Sequence, residues 1–600
     1  MRRDGILNPA RLRLLATLPL ALCWWIGCSR PTEPLARVRV AGRPGSAPTT
    51  AVSIDGTQRR VLVPARAEHV FLLDDLPARP LLALAIGRRS GDPASAIRFE
   101  AWLKPAQGEP ISLYAHELTE PGWVDGSVDL SAHPLQGARL VLRVSGTRGP
   151  EELLRDAVWG EPVVLSATPP AHPSAILVSI DSLRADRVGV YGSQETHTPV
   201  LDAFAREGAW YDQAYTSSTW TAPSHTCLLY GMTFGTLFHN CQYSCAPATP
   251  EPVRPLPEIL RQKGYLTAGF TGGGFVSPNF GFGRGFDTYY SFRPPSPAQP
   301  GCSPARFDGP EVVARAADWL RRFGQAPFFL FLHTYDVHDD CPVKPPDLGE
   351  GFDVWPDPGP ANRKQFIEYY DQQVTNVDRL LAGMLTVLER LGLADTTLVV
   401  ITADHGQAFW EHGFQGHGCT FKPYGELARV PLLLRFPTSG WRPGRVSTPV
   451  STVDIAPTIL GGLGLPLPPW MEGAVLPGLG VRGEEPHPIY VQCGDVLGIR
   501  DGRYKLITSL SARFADEVYD LDADPAERID VAGRGERAEE DLRARAAGYW
   551  RQAAGAELPK PMNRVDEETR ARLRALGYLG HDAPSAASRP GGTPAGGERK

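Results

Sequence analysis

After its first thirty residues the sequence has no apolar run approaching the ~18 residues that a membrane-crossing helix needs, so the rest of the chain is expected to be soluble. It also has no basic block. Its 61 Lys and Arg against 67 Asp and Glu leave a formal charge of −6, spread along 600 residues, which argues against a nucleic-acid backbone as partner. Paired Cys-x-x-Cys motifs are missing, and with them the usual signature of a structural zinc site. Wholesale disorder and collagen are excluded by a composition of 42% hydrophobic and 21% charged residues, while 62 Gly and 58 Pro point to many ordered turns. At about 150 residues per domain the length allows roughly two to four domains.

What is present begins with MRRDGILNPARLRLLATLPLALCWWIGCSR, a basic start and then an apolar stretch too short to span a membrane comfortably. Residues 1–28 are expected to be a secretory signal. Gly27 before Cys28 suits a bacterial lipoprotein cleavage site, with ordinary cleavage and an uncleaved anchor as the alternatives. The expected location is the periplasm or bacterial envelope, with membrane contact only through a lipid anchor at Cys28. In an oxidising compartment some of the seven cysteines after Cys28 should pair, Cys241 with Cys245 or Cys302 with Cys341 being candidates, and an odd number leaves at least one free.

Residues 29–170 contain short β-type runs such as RVRV, VFLL, IRFEAWL and ARLVLRV between Gly, Pro and Asp turns, which predicts an all-β sandwich ending in the Pro-rich linker ATPPAHPS. From 171 to 480 apolar strand runs alternate with amphipathic helices, the pattern of a mostly parallel sheet flanked by helices. The predicted class is therefore α/β with a β-sandwich in front. Residues 481–580 form a smaller C-terminal unit, and 581–600, rich in Ala, Gly, Pro and Ser, read as disordered. Two strands end in chemistry, Asp181 after AILVSI and Asp404-His405 after TLVVITA. Each aspartate alone could cap a turn, but two carboxylates and an imidazole on strand tips can share one cation.

The runs ILVSIDSLRADRVGVYG, THTPVLDAFAREGAWYDQAY, TAPSHTCLLYG, PFFLFLHTYDVHD, ITADHGQAFWEHG, RVPLLLRFP, VSTVDIAPTIL, GRYKLI and EVYDLDADPAE follow one another from about Ala175 to Gly580. Together they resemble the sulfatase branch of the alkaline phosphatase superfamily. The resemblance implies an alkaline-phosphatase-like sheet and a metal-dependent hydrolase of sulfate or phosphate esters. Sulfatases place a formylglycine-forming cysteine or serine in a Cys-x-Pro-x-Arg motif, whereas this chain has Thr221-Ala222-Pro223-Ser224-His225. Threonine is a secondary alcohol and cannot give the aldehyde. The resemblance then points to the superfamily's phosphodiesterases and phosphotransferases, with Asp181, Thr221, Asp404 and His405 as metal set and Thr221 as nucleophile.

Ser182 stands where sulfatases carry a further aspartate, which shifts the expected single divalent ion from calcium toward manganese or zinc, calcium remaining second choice. By the same resemblance, His338 and His417 are candidates for leaving-group chemistry. His225, in place of the motif arginine, and Lys422, near a family lysine, are candidates for substrate binding. The Gly-Lys-Trp-type lysine is missing, and TAGFTGGGF reads as a glycine-rich turn; Asp378 and Asp454 read as structural. The expected partners are sulfated or phosphorylated small molecules, glycans or lipids. The competing reading is an inactive sulfatase-like envelope protein that binds glycans through its β domain.

Overall fold

A computed structural model describes residues 38–39, 50–62, 66–73, 76–77, 79–90, 95–166, 173–237, 252–292, 308–338, 359–418, 421–436, 443–478, 487–534, 537–554 and 572. The expected signal segment with Cys28, most of the Pro-rich linker, the cysteine pairs proposed from sequence and the tail from 581 lie outside them.

A ten-stranded sheet organises the chain, in the order Thr50–Ile54, Thr57–Val61, Thr288–Ser291, Leu266–Thr271, Phe328–Thr334, Ser174–Ile180, Thr397–Thr402, Leu432–Arg435, Ala209–Tyr211, Gly444–Val446. From Thr288–Ser291 to Thr397–Thr402 neighbouring strands are parallel. These central strands could be read from sequence because both their faces are covered: every residue of Ser174–Ile180, Phe328–Thr334 and Thr397–Thr402 is buried. Alternation divides them between two cores. Leu177, Phe329, Phe331 and Val400 pack with Leu228 and Ile459, whereas Ile176, Val178, Leu330, Leu332 and Ile401 pack with Val374 and Leu381 of the helix Pro360–Arg390. The RVPLLLRFP run departs from the parallel order, since Leu432–Arg435 lies antiparallel to Thr397–Thr402.

Before this sheet, two antiparallel sheets face each other around one core that includes Phe71, Leu82, Leu84, Phe99, Leu140 and Trp159, the sandwich expected from the alternating runs. One piece of the N-terminal region behaves differently. The hairpin Thr50–Ile54/Thr57–Val61 joins the edge of the central sheet, antiparallel to Thr288–Ser291, and so covers an edge that would otherwise be open. At the other end of the chain a four-stranded antiparallel sheet from Ile489–Cys493 to Glu517–Asp520 carries the helix Arg537–Ala554. Cys493 is disulfide-bonded, whereas Cys227 is a buried free thiol.

Candidate metal-centred active site

Ser174–Ile180 lies between Phe328–Thr334 and Thr397–Thr402, with Ser179 level with His333 on one side and Thr402 on the other. The chain leaves all three strands at the same end of the sheet, which brings Asp181, His333 and Asp404 together there. One ligand atom each from Asp181, Asp404 and His405 lies within 4.8 Å of the others, and all three residues are fully buried.

Ser182 ties the two acids together. Its φ of 59° places it in the left-handed region, a strained conformation for a residue with a side chain. From there its N–H donates to Asp404 Oδ1 (3.1 Å) and its hydroxyl donates to Asp181 Oδ1 (2.7 Å). The N–H of His405 gives Asp404 Oδ1 a second bond at 2.8 Å. The other oxygens, Asp181 Oδ2 and Asp404 Oδ2, are buried and accept no hydrogen bond among the described residues. Burial, reinforced by Asp181, pushes the Asp404 carboxyl above the usual carboxylate range.

Thr221 opens the helix Thr221–Tyr230, every residue of which is buried and which ends at Gly231 with φ 63°. The hydroxyl therefore stands at the positive end of a helix dipole, 3.3 Å from His405 Nε2. His405 Nδ1 donates to the carbonyl of Gly406 at 3.0 Å, which leaves Nε2 as the lone-pair nitrogen facing Thr221. Ser224 Oγ donates to the Asp404 carbonyl at 2.6 Å and anchors the helix to the strand tip.

The histidines take distinct places. The rings of His417 and His405 lie 4.3 Å apart and those of His338 and His417 4.9 Å apart, forming one wall of the centre. His417 Nδ1 donates to Gln407 Oε1 (2.7 Å), and burial together with His405 and His338 holds this imidazole well below its ordinary pKa. His225, proposed from sequence as a substrate binder, lies against the carboxylates, its Nδ1 3.6 Å from Asp404 Oδ2. Its Nδ1 donates to the Thr221 carbonyl at 2.8 Å, its Nε2 accepts from Ser179 at 2.9 Å, and burial pulls its pKa down to about 4. Lys422 is not brought into the cluster: its Nζ lies 2.5 Å from Glu517 Oε1 and over the Phe514 ring, at the contact with the C-terminal sheet.

Sequence reasoning passed over His333. Its Nε2 is 3.5 Å from Asp181 Oδ2, neither ring nitrogen has a hydrogen-bond partner among the described residues, and burial lowers its pKa to about 3. The available signal was a histidine near the end of the otherwise apolar run FFLFLHT. Asp378 and Asp454 serve the scaffold. Asp378 accepts from the N–H groups of Val200 and Leu201, and Asp454 completes a capping box with Ser451.

The sulfatase family model matches residues 173–465, and a model of the N-sulphoglucosamine sulphohydrolase C-terminal region matches 411–545. The N-acetylglucosamine-6-O-sulfatase of Bacteroides thetaiotaomicron is 31% identical over 190 residues, 29% of this chain and 33% of that protein, so the match spans a third of the relative. The Delta 4,5-hexuronate-2-O-sulfatase of the same organism is 24% identical over 481 residues, 69% of this chain and 95% of that one. The phosphonate monoester hydrolase of Agrobacterium radiobacter shares the fold, with a TM-score of 0.52 at 19% identity over 66% of this chain and 100% of that one. With strand order, site and matched residues in agreement, residues 173–465 form a sulfatase-family domain.

Proposed function

We propose that the protein is a metal-dependent hydrolase of sulfate or phosphate esters that uses Thr221 as nucleophile, with esterified glycans as its substrate class. The observation that carries this reading is the pair of buried oxygens Asp181 Oδ2 and Asp404 Oδ2, which accept no hydrogen bond among the described residues and lie beside His405 and Thr221. Two adjacent buried carboxylates are costly without a cation, so the donor set fits one divalent ion held by Asp181, Asp404, His405 and Thr221 Oγ1. Three oxygens and an imidazole nitrogen suit manganese or zinc better than calcium, which favours shells of 6–8 oxygens.

When bound, such an ion supplies Lewis acidity and a lowered hydroxyl pKa. The chain supplies the rest. Thr221 Oγ1 is held at the helix N-terminus, gives its hydroxyl proton to water and attacks sulfur or phosphorus; a Thr–O–S or Thr–O–P bond forms as the bond to the leaving oxygen breaks. His338 gives that oxygen a proton. Water then attacks the threonine ester, and the acid anion leaves with Thr221 restored. The relatives named for sulfated sugars support the glycan class. The basic-then-apolar N-terminus and the Cys493 disulfide support an exported protein, and Gly27-Cys28 supports a lipid anchor in the bacterial envelope.

The test compares nitrophenol release from the sulfate, the phosphate monoester and the phosphodiester by the full chain with manganese, zinc or calcium. Thr221→Ala is expected to lower kcat at least ~10³-fold while metal binding by the Asp181/Asp404/His405 set persists. Turnover at the wild-type rate in that variant would overturn the nucleophile. Absence of both turnover and bound metal would instead favour a glycan-binding protein.

A further inference from the structure

The glycine-rich turn in TAGFTGGGF is where three distant parts of the chain meet. Gly272 follows the strand Leu266–Thr271, and a Cβ there would collide with Asp308 Oδ2 and fall 2.6 Å from Tyr335 Cδ2. Gly273 has a φ of 76°, which favours glycine, and a Cβ on it would fall 2.9 Å from the Phe292 carbonyl oxygen. Only bare backbone admits this packing. Into the same place comes Arg572, 300 residues on from Gly272, whose Nε donates to the Gly272 carbonyl at 2.8 Å.

Arg572 is only 2% exposed. Its Nη2 lies 3.5 Å from Asp308 Oδ1, and its guanidinium carbon stands over the rings of Phe292 (4.8 Å) and Tyr335 (5.6 Å). A flat cation held by a carbonyl, a carboxylate and two ring faces is fixed in orientation as well as in charge. Burial and Asp336 push the Asp308 carboxyl well above the usual carboxylate range, and Arg572 is the cation that opposes them.

What Arg572 grips is the turn that follows the strand Phe328–Thr334. Asp308 Oδ1 accepts from the N–H of Tyr335 (3.0 Å) and from Thr334 Oγ1 (3.3 Å). Tyr335 Oη accepts from the N–H of Phe275, in the glycine-rich turn, at 3.1 Å. From Tyr335 the connection runs to the centre. Its carbonyl accepts from the N–H of His338 at 2.9 Å, and its ring meets those of His333 at 4.6 Å and His338 at 5.6 Å.

We propose, on the reading of His338 as proton donor, that Arg572 is a positioning residue: through Asp308 and Tyr335 it sets the turn that aims His338 at the leaving oxygen. A sugar alcohol needs that proton to leave, whereas nitrophenolate departs without it. Misplacing His338 therefore slows the sugar ester far more than the nitrophenyl ester, and a general loosening of the fold slows both alike.

The test compares the full wild-type chain with Arg572→Gln and with Arg572→Lys, which keeps a cation beside Asp308 and with it the fold. The substrates are nitrophenyl sulfate and phosphate beside glucosamine 6-sulfate and 6-phosphate, and amide hydrogen exchange over residues 333–338 is followed in parallel. Both variants are expected to lose about tenfold or more in kcat on the sugar ester and less than about threefold on the nitrophenyl ester, with KM held within about twofold. In Arg572→Gln the amides of Tyr335 and His338 should exchange about tenfold faster while Thr397–Thr402 stays protected. Equal losses on the two esters, or unchanged exchange over 333–338, overturn the proposal. If the wild-type chain turns over no ester, the reading of the centre fails by itself, and the exchange measurement still decides whether Arg572 holds the turn.

Discussion

Ser182 shows what one residue does at this centre. Its strained backbone lets the N–H reach Asp404 and the hydroxyl reach Asp181, so two like charges are oriented by a residue that carries none. That arrangement places metal affinity and stability in opposition. In chelated protein, Asp404→Asn keeps an oxygen for the N–H donors of Ser182 and His405 and removes one of two adjacent buried charges. It is expected to raise the melting temperature of the metal-free chain while losing stoichiometric metal, as read by calorimetric melting and metal analysis. A second residue-scale prediction concerns pH. The hydrogen bond from His487 to Asp454, 2.9 Å long, raises the imidazole pKa to about 9 from an ordinary 6.5. A raised histidine pKa stabilises the fold fully below the unfolded value and loses that contribution as pH climbs through the folded one. Because the side chain is 32% exposed, the contribution is set at about 1–2 kcal/mol. His487→Gln should therefore cost that much at pH 6 and almost nothing at pH 10, measured by urea unfolding.

Among the elements, helices that carry no chemistry still fix the position of those that do. The helix Pro199–Glu207 has no side-chain cap from Thr198; Asp378, on the helix Pro360–Arg390, accepts from Val200 N–H (3.1 Å) and Leu201 N–H (2.8 Å) instead. A remote residue thus does the work of an N-cap. Asp378→Ala is expected to cost about 1–3 kcal/mol in chemical denaturation, with ester turnover kept within about threefold of wild type. A large loss of turnover at unchanged stability would give Asp378 a part in the reaction. Element types were readable where burial is two-sided, as in FFLFLHT, because such strands have no polar face to confuse with a helix. The direction of Leu432–Arg435 was not readable, since an all-apolar run looks the same either way up in a sheet.

For the molecule as a whole, the sandwich and the α/β unit are fastened more closely than the Pro-rich linker suggests. Ala83, Val163 and Leu165 of the sandwich share a core with Ile176 and Val178 of the central sheet, and Arg59 joins hairpin, sandwich and sheet through Asp125 and Thr288. A chain begun at residue 173 would bare both that apolar surface and the edge strand Thr288–Ser291. It is expected to melt lower than the full chain and to self-associate, by calorimetry and light scattering. An unchanged melting temperature and a monomeric fragment would make the sandwich a detachable module.

Local pattern was enough to predict the α/β class and to single out Asp181, Asp404 and His405, which follow strands and lie within 4.8 Å of one another, and Thr221, which begins a helix. Only the folded chain set what lies beside them. It brought in His333 from a neighbouring strand, set His225 beside Asp404 and Lys422 against Glu517, and moved the first hairpin to the sheet edge. These outcomes depend on strand order and register, which arise from contacts between residues far apart in the chain and leave no local periodicity to read.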